Sequence, residues 1–157
     1  MMFKTPTCHF FACGAAEGQT RVSSLDGAFI AAGLGNLNLI ETGSSIPPNC
    51  KLVEPLPLAH GALVPAACAS VTSDMPGEVI SAGVAAAYPT DTTQAGLFVK
   101  YAAPGHKEDV EAIVRRLAEE GMRMRGLEIR EIRSIAVQHR VEKIGSVFVA
   151  VVLWPEE

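Results

Sequence analysis

The chain has 157 residues, of which 48% are hydrophobic and 19% are charged, a composition typical of one globular domain with a substantial core. Its formal net charge is -4, because 17 Asp and Glu outnumber 13 Lys and Arg, which argues against a nucleic-acid-binding protein. No apolar run is long enough to span a membrane and residues 1–7 lack the pattern of a signal peptide, so we expect a cytoplasmic protein with no membrane partner.

A first helix is predicted at about residues 25–32. Two serines precede this segment and are possible N-caps, and Gly33 follows it as a residue suited to end a helix. This prediction leaves Phe29 and Ile30 for the core.

The clearest helical pattern lies at about residues 107–120. Its first turn is acidic, which suits the positive end of a helix, and Gly121 follows as a stop signal. The apolar positions, spaced by three and four residues, are Val110, Ile113, Val114 and Leu117. This spacing predicts one buried face and one solvated face.

The rest of the chain is predicted to form mainly strands, since it is rich in β-branched or aromatic residues between Gly, Pro or charged residues. The predicted strands are residues 37–42, 61–73, 79–88, 96–101, 134–141 and 144–154. The alanine-rich residues 84–87 could equally be helical. Residues 147–154 are apolar on both faces, as expected of a strand buried between layers. Together these elements predict an α+β fold in a single domain.

The cysteines and histidines do not have the spacing of a metal site. Cys8 and Cys13 lie beside His9, but the other two cysteines form no second close pair, so we expect no metal and four buried or idle thiols. His139 lies in an alternating run and is predicted to point from the polar face of a strand. No histidine is assigned a catalytic role.

The most informative stretch is residues 38–48, where a strand-like run meets Gly43, Ser44, Ser45 and two prolines. A serine held in a tight turn directly after glycine can attack its own preceding carbonyl, which is the chemistry of chain self-cleavage. The alternative is an ordinary Gly-Ser turn before a proline-rich connection.

Residues 33–38 begin like a dinucleotide-binding motif, but we do not expect them to bind a nucleotide. They lack the third glycine and precede a strand, whereas the motif joins a strand to a helix. Gly35 and Asn36 are therefore predicted to be turn residues. Asn38 offers donor and acceptor groups near the proposed processing serine.

Several separated motifs resemble the pyruvoyl-dependent arginine decarboxylases in order and spacing, from about Phe3 to Trp154. They are Gly35-Asn36-Leu37-Asn38-Leu39-Ile40, Ser44 before Pro47-Pro48, Gly61-Ala62-Leu63-Val64-Pro65, Asp74-Met75-Pro76-Gly77-Glu78, Ser134-Ile135-Ala136-Val137 and Val141-Glu142-Lys143. The resemblance implies a four-layer αββα sandwich spanning residues 1–157. It also implies a homotrimer with active sites between neighbouring subunits.

The resemblance further implies self-cleavage between Gly43 and Ser44. The products would be a β chain, residues 1–43, and an α chain, residues 44–157, that begins with a pyruvoyl group made from Ser44. Ser45 is the alternative source, since the order Ser-Ser-Ile in the family would place the reactive group on the second serine. An ungapped alignment through Asn38 and the two prolines favours Ser44.

A covalent pyruvoyl group would serve as the cofactor of amino-acid decarboxylation, because its ketone condenses with a substrate amine. By resemblance, Asp26 would bind the guanidinium of arginine, unless this residue only favours the N-terminal end of its helix. The family usually has a glutamate, the proton donor, where this chain has Lys100. Three alternatives stay open: a decarboxylase that uses Lys100, with arginine to agmatine as the best named reaction; a protein that cleaves itself without turning over arginine; or an impaired paralogue with a structural or regulatory role.

Overall fold

The computed structural model describes residues 3–156; Met1, Met2 and Glu157, which belong to the predicted domain, lie outside the described residues. Within residues 3–156 the chain forms two helices and nine strands in one compact α+β domain. The helices are α1 (Arg21–Ala31) and α2 (Lys107–Met124). The strands are β1 (Cys8–Glu17), β2 (Asn38–Glu41), β3 (Ser45–Ile46), β4 (Lys51–Leu52), β5 (Leu63–Ser73), β6 (Val79–Pro89), β7 (Gly96–Pro104), β8 (Ile129–Arg140) and β9 (Gly145–Trp154).

The strands form two sheets that pack face to face. Over the described residues, the first sheet has the order β2-β5-β9-β1-β4 and the second has the order β3-β7-β6-β8. One core lies between the sheets, a second lies between α1 and the first sheet, and a third lies between α2 and the second sheet. The layers are therefore helix, sheet, sheet and helix, which confirms the predicted αββα sandwich.

Strand β9 shows how the sequence specifies two layers at once. Its odd-numbered residues, such as Val149, belong to the core between the sheets, and its even-numbered residues, such as Phe148, belong to the core under α1. Both faces are buried because successive side chains of a strand point in opposite directions. The prediction of a strand that is apolar on both faces is confirmed, and residues 84–87 are strand, not helix.

Helix α1 begins four residues earlier than predicted. Thr20, not one of the later serines, is its N-cap, and the Thr20 and Ser23 side chains each accept a hydrogen bond from the other residue's backbone N–H. The predicted end is confirmed, since Gly33 has a φ of +82° just beyond the C-cap. Phe29 packs on Phe148, but the prediction that Ile30 is a core residue is wrong, because its side chain is 63% exposed.

Helix α2 is confirmed but continues beyond Gly121 to Met124. Because Gly121 lies close to the Leu97 side chain, its missing side chain permits α2 to pack on β7. The buried positions are Val110, Val114, Ala118 and Met122. The buried face therefore turns away from Leu117, which was predicted to be apolar core and is 41% exposed.

Strand β1 was missed by the sequence analysis, although it is central to the first sheet. Its residues pair with β9 along the whole strand, from Cys8 opposite Trp154 to Glu17 opposite Gly145. The segment is rich in alanine, cysteine and glycine, which have no strong strand propensity, so burial determines its conformation.

A buried polar contact joins β1 to the second sheet and leads to a pH-dependence prediction. His9 is fully buried, with Nε2 at 2.7 Å from the Tyr88 hydroxyl and Nδ1 at 3.4 Å from Cys50 Sγ. Burial lowers the pKa of His9 from 6.5 to about 4. The unfolded chain therefore binds more protons between these values, and stability falls as the pH falls from 6.5 to 4.

We expect His9 to contribute a loss of about 3 kcal/mol over this range. Urea denaturation of the unmutated protein and of His9→Gln should therefore show different pH dependence, whatever the difference in stability at pH 8. The variant should have the flatter profile above pH 5. Parallel profiles for the two proteins would show that His9 does not stay neutral in the folded state.

Candidate functional site

The candidate site lies where the chain passes from the edge of one sheet to the edge of the other. Strand β2 pairs with β5 in the first sheet, and β3 pairs with β7 in the second. Residues 42–44 connect the two and are called the crossover below. Because both flanking strands are hydrogen-bonded, the short crossover is held at each end.

Ser44 is the last residue of the crossover and Ser45 follows it directly, and both are exposed. Ser44 is at a bend, and its hydroxyl makes no hydrogen bond among residues 3–156, whereas its carbonyl accepts one from the Phe98 N–H at 2.9 Å. Ser45 is the first residue of β3 and lies opposite Leu97. Gly43 is exposed, has no positive φ, and a side chain there would meet nothing within 4 Å.

The carbonyl of Gly43 is the group that Ser44 would attack. The Thr42 hydroxyl donates a hydrogen bond to it at 3.1 Å. Thr42 is itself fixed, since its backbone N–H donates to the Ala66 carbonyl at 3.1 Å. A donor on this oxygen polarises the carbonyl and stabilises the negative charge that develops during attack.

Lys100 lies on β7 and reaches across to the edge of the first sheet. Its Nζ is 3.1 Å from Glu41 Oε2, at the end of β2. Glu41 and Thr42 were not singled out from the sequence, although both lie in the stretch of residues 38–48. A lone acid at the end of an otherwise uncharged strand was the available signal for Glu41.

The half-buried thiol of Cys68 lies close to this ion pair. Burial and the Glu41 carboxylate raise the pKa of Cys68 to about 12, although the Lys100 ammonium acts in the opposite direction. The thiol therefore stays neutral near pH 7 and adds no charge or nucleophile to the site.

Asn38 lies at the far end of β2 from the crossover. Its side-chain Nδ2 donates to the Gly61 carbonyl at 2.9 Å, which ties β2 to the start of the segment that leads into β5. A strand rises about 3.3 Å per residue, which puts Asn38 about 10 Å before Glu41. Within one chain the Asn38 amide thus holds a turn and does not meet Ser44.

Asp26 is exposed on α1, on the outer face of the first sheet. Helix α1 packs on β1, β5 and β9, and in the described part of the chain it does not contact β2 or β3. One chain therefore does not bring Asp26 together with Ser44. Because α1 begins at Arg21, Asp26 lies in its second turn, so the prediction that it favours the helix N-terminus is wrong.

A cleft of about 800 Å³ lies beside β3 and the loop that follows it. It is lined by the proline-rich loop after Ile46 and by charged residues of β8, including Arg130 and Arg133, but not by Ser44 or Lys100. Ser44 thus faces an open surface, not an enclosed pocket, in the single chain.

The remaining sequence predictions concern metals, thiols and histidine. The four cysteines are free thiols, and over residues 3–156 no three His, Cys, Asp or Glu side chains are grouped so as to hold a metal ion. His139 Nε2 lies 2.5 Å from the Glu17 carboxylate. In the same part of the chain, neither helix has both the length and the hydrophobicity needed to cross a bilayer.

The fold is similar to that of a solved pyruvoyl-dependent decarboxylase. A solved pyruvoyl-dependent histidine decarboxylase aligns with 64% of this chain and 53% of its own, with a TM-score of 0.53 and 16% sequence identity. This chain therefore spans about half the length of that structure, and the likeness concerns the fold alone.

Sequence comparison identifies the family. The family model of pyruvoyl-dependent arginine decarboxylase matches residues 8–157. A pyruvoyl-dependent arginine decarboxylase of Methanocaldococcus jannaschii is 45% identical over 97% of this chain and 92% of its own, and one of Pyrococcus abyssi is 34% identical over 99% of each chain. The chain belongs to the pyruvoyl-dependent arginine decarboxylase family, which confirms the resemblance.

Proposed function

We propose that this protein cleaves itself between Gly43 and Ser44 and decarboxylates arginine to agmatine and carbon dioxide. The observation that carries the proposal is the crossover itself. It lies where the family resemblance puts the cleavage, it is exposed, and its Gly43 carbonyl already accepts a hydrogen bond from Thr42 at 3.1 Å.

The cleavage needs only the chain and water. The Ser44 hydroxyl attacks the Gly43 carbonyl, the peptide bond breaks, and an ester forms while the hydroxyl proton passes to the Ser44 amine. Loss of the Ser44 Cα proton then expels the Gly43 carboxylate and leaves dehydroalanine. Water replaces the amine as ammonia and leaves a pyruvoyl group.

Ser44 suits this role better than Ser45. Attack by Ser45 would occur at the Ser44 carbonyl. The Phe98 N–H also donates a hydrogen bond to that carbonyl, but it fixes the group beside β7 and leaves it less freedom to become tetrahedral. The Gly43 carbonyl lies outside the paired strands and is freer to reorganise. The two fragments, residues 1–43 and 44–157, would stay together after cleavage, because β1 remains paired with β9 along ten residues.

The pyruvoyl group supplies a ketone that condenses with the substrate amine and an adjacent carbonyl that accepts the electron pair when carbon dioxide leaves. The chain fits it, since Ser44 is exposed and its flanking strands are paired on both sides. Asp26 would bind the guanidinium from a neighbouring subunit of a homotrimer. Within one chain α1, which carries Asp26, lies apart from the crossover, and this supports a site formed by two subunits.

An assay of purified protein tests the function. Incubation with arginine should produce agmatine and carbon dioxide in equal amounts, and Asp26→Asn should lower kcat/KM for arginine about tenfold or more by removing a charged hydrogen-bond acceptor. Asp74→Asn, which changes an exposed carboxylate on a loop outside the candidate site, is the matched control. Cleaved protein that releases no agmatine would favour the impaired paralogue.

A further inference from the structure

The ion pair between Glu41 and Lys100 spans the same gap between the sheets as the crossover. Glu41 is three residues before Ser44, and Lys100 is two residues beyond Phe98, whose N–H binds the Ser44 carbonyl. Both charges are therefore tied to the immediate surroundings of the residue that would become the pyruvoyl group.

We propose that Glu41 is a positioning residue that fixes the Lys100 ammonium beside the reacting group and cancels its charge, and that Lys100 is the proton donor of the decarboxylation. The proposal rests on the proposed function. When carbon dioxide leaves, its bonding electron pair remains with the substrate, and the Lys100 ammonium transfers a proton to the substrate α carbon as that pair forms the new C–H bond. The neutral amine then regains a proton from water.

The exposure of the Glu41–Lys100 pair allows Lys100 to regain its proton from water after each turnover. The Lys100 side chain is 36% exposed and the Glu41 side chain is 60% exposed, so water reaches the amine after each turnover.

The Glu41 carboxylate offsets the positive charge of Lys100, which would otherwise oppose the binding of a cationic substrate. An unpaired ammonium would repel the guanidinium of arginine, at a cost that grows as water is excluded from the site. At 3.1 Å from the Glu41 carboxylate, Lys100 is one half of a pair with no net charge. The neutral Cys68 thiol leaves that balance unchanged.

Variants of the pair test the proposal when cleavage and turnover are measured separately. Glu41→Gln should still be cleaved, as judged by fragment masses, but should have a kcat reduced about tenfold or more and a raised KM for arginine. Glu41→Asp should recover part of the loss. Lys100→Gln, which lacks the proton donor, should still be cleaved but should decarboxylate arginine more slowly than Glu41→Gln, and adding Glu41→Gln to it should cause little further loss, since Glu41 acts through Lys100. Asp74→Asn, which breaks the exposed pair with Arg21, is the control and should change neither constant.

The outcomes separate the two proposals. Turnover by Glu41→Gln or Lys100→Gln at the unmutated rate, a block of cleavage in either variant, or a double variant much slower than Lys100→Gln would overturn the role of the pair and leave the proposed function standing. An unmutated protein that is never cleaved, or that is cleaved without decarboxylating arginine, would overturn both.

Discussion

Ser44→Ala should leave a single intact chain of 157 residues and abolish decarboxylation. Alanine has no hydroxyl to attack the Gly43 carbonyl, so neither the ester nor the pyruvoyl group can form. The variant should fold normally, because Ser44 is exposed and its hydroxyl makes no hydrogen bond in the part of the chain that the structure describes. Mass spectrometry of denatured protein after prolonged incubation measures the result.

Ser45→Ala is the matched control for this experiment. It is the neighbouring exposed serine and should still be cleaved, with the same 43-residue N-terminal fragment as the unmutated protein. The reverse pattern, an intact Ser45→Ala chain and a cleaved Ser44→Ala chain, would move the cleavage to the Ser44–Ser45 bond.

Thr42→Val should slow cleavage strongly without preventing folding. Valine has nearly the shape of threonine but cannot donate the 3.1 Å hydrogen bond to the Gly43 carbonyl. Loss of one donor to a developing oxyanion costs about 100- to 1,000-fold in enclosed enzyme sites. Thr42 is only half-buried, so we expect a reduction of about tenfold or more, measured as the rate at which newly refolded chain is cleaved.

Thr42→Ser separates the hydroxyl from the shape of the side chain. It keeps the donor and should be cleaved at nearly the unmutated rate, whereas a structural role for the threonine methyl would slow Thr42→Ser and leave Thr42→Val, which keeps that methyl, at the unmutated rate. Equal cleavage rates for all three proteins would show that the Thr42 hydroxyl takes no part.

The fold was predictable where the local pattern and the burial agree. Strand β9 is apolar on both faces and is buried on both faces, and two of the apolar positions predicted for α2, Val110 and Val114, lie on its buried side. Strand β1 could not be recognised, because its alanines and glycine are selected by close packing between layers and not by strand propensity.

The site was predictable only in part. Ser44 and Lys100 were proposed as site residues from the sequence, but the contact between Lys100 and Glu41 joins residues 59 positions apart on different sheets. No local pattern reports such a contact. It also changes the interpretation of Lys100, since a lysine that opposes a cationic substrate when isolated is neutralised once Glu41 is beside it.

Reductive trapping of the substrate tests the central claim most directly. Protein incubated with arginine and sodium borohydride, then denatured and weighed by mass spectrometry, should give an unmodified fragment of residues 1–43 and a fragment from residue 44 that carries one arginine or agmatine. The added mass should be absent from Ser44→Ala. A single full-length chain with no added mass would contradict self-cleavage and the pyruvoyl-dependent reaction together.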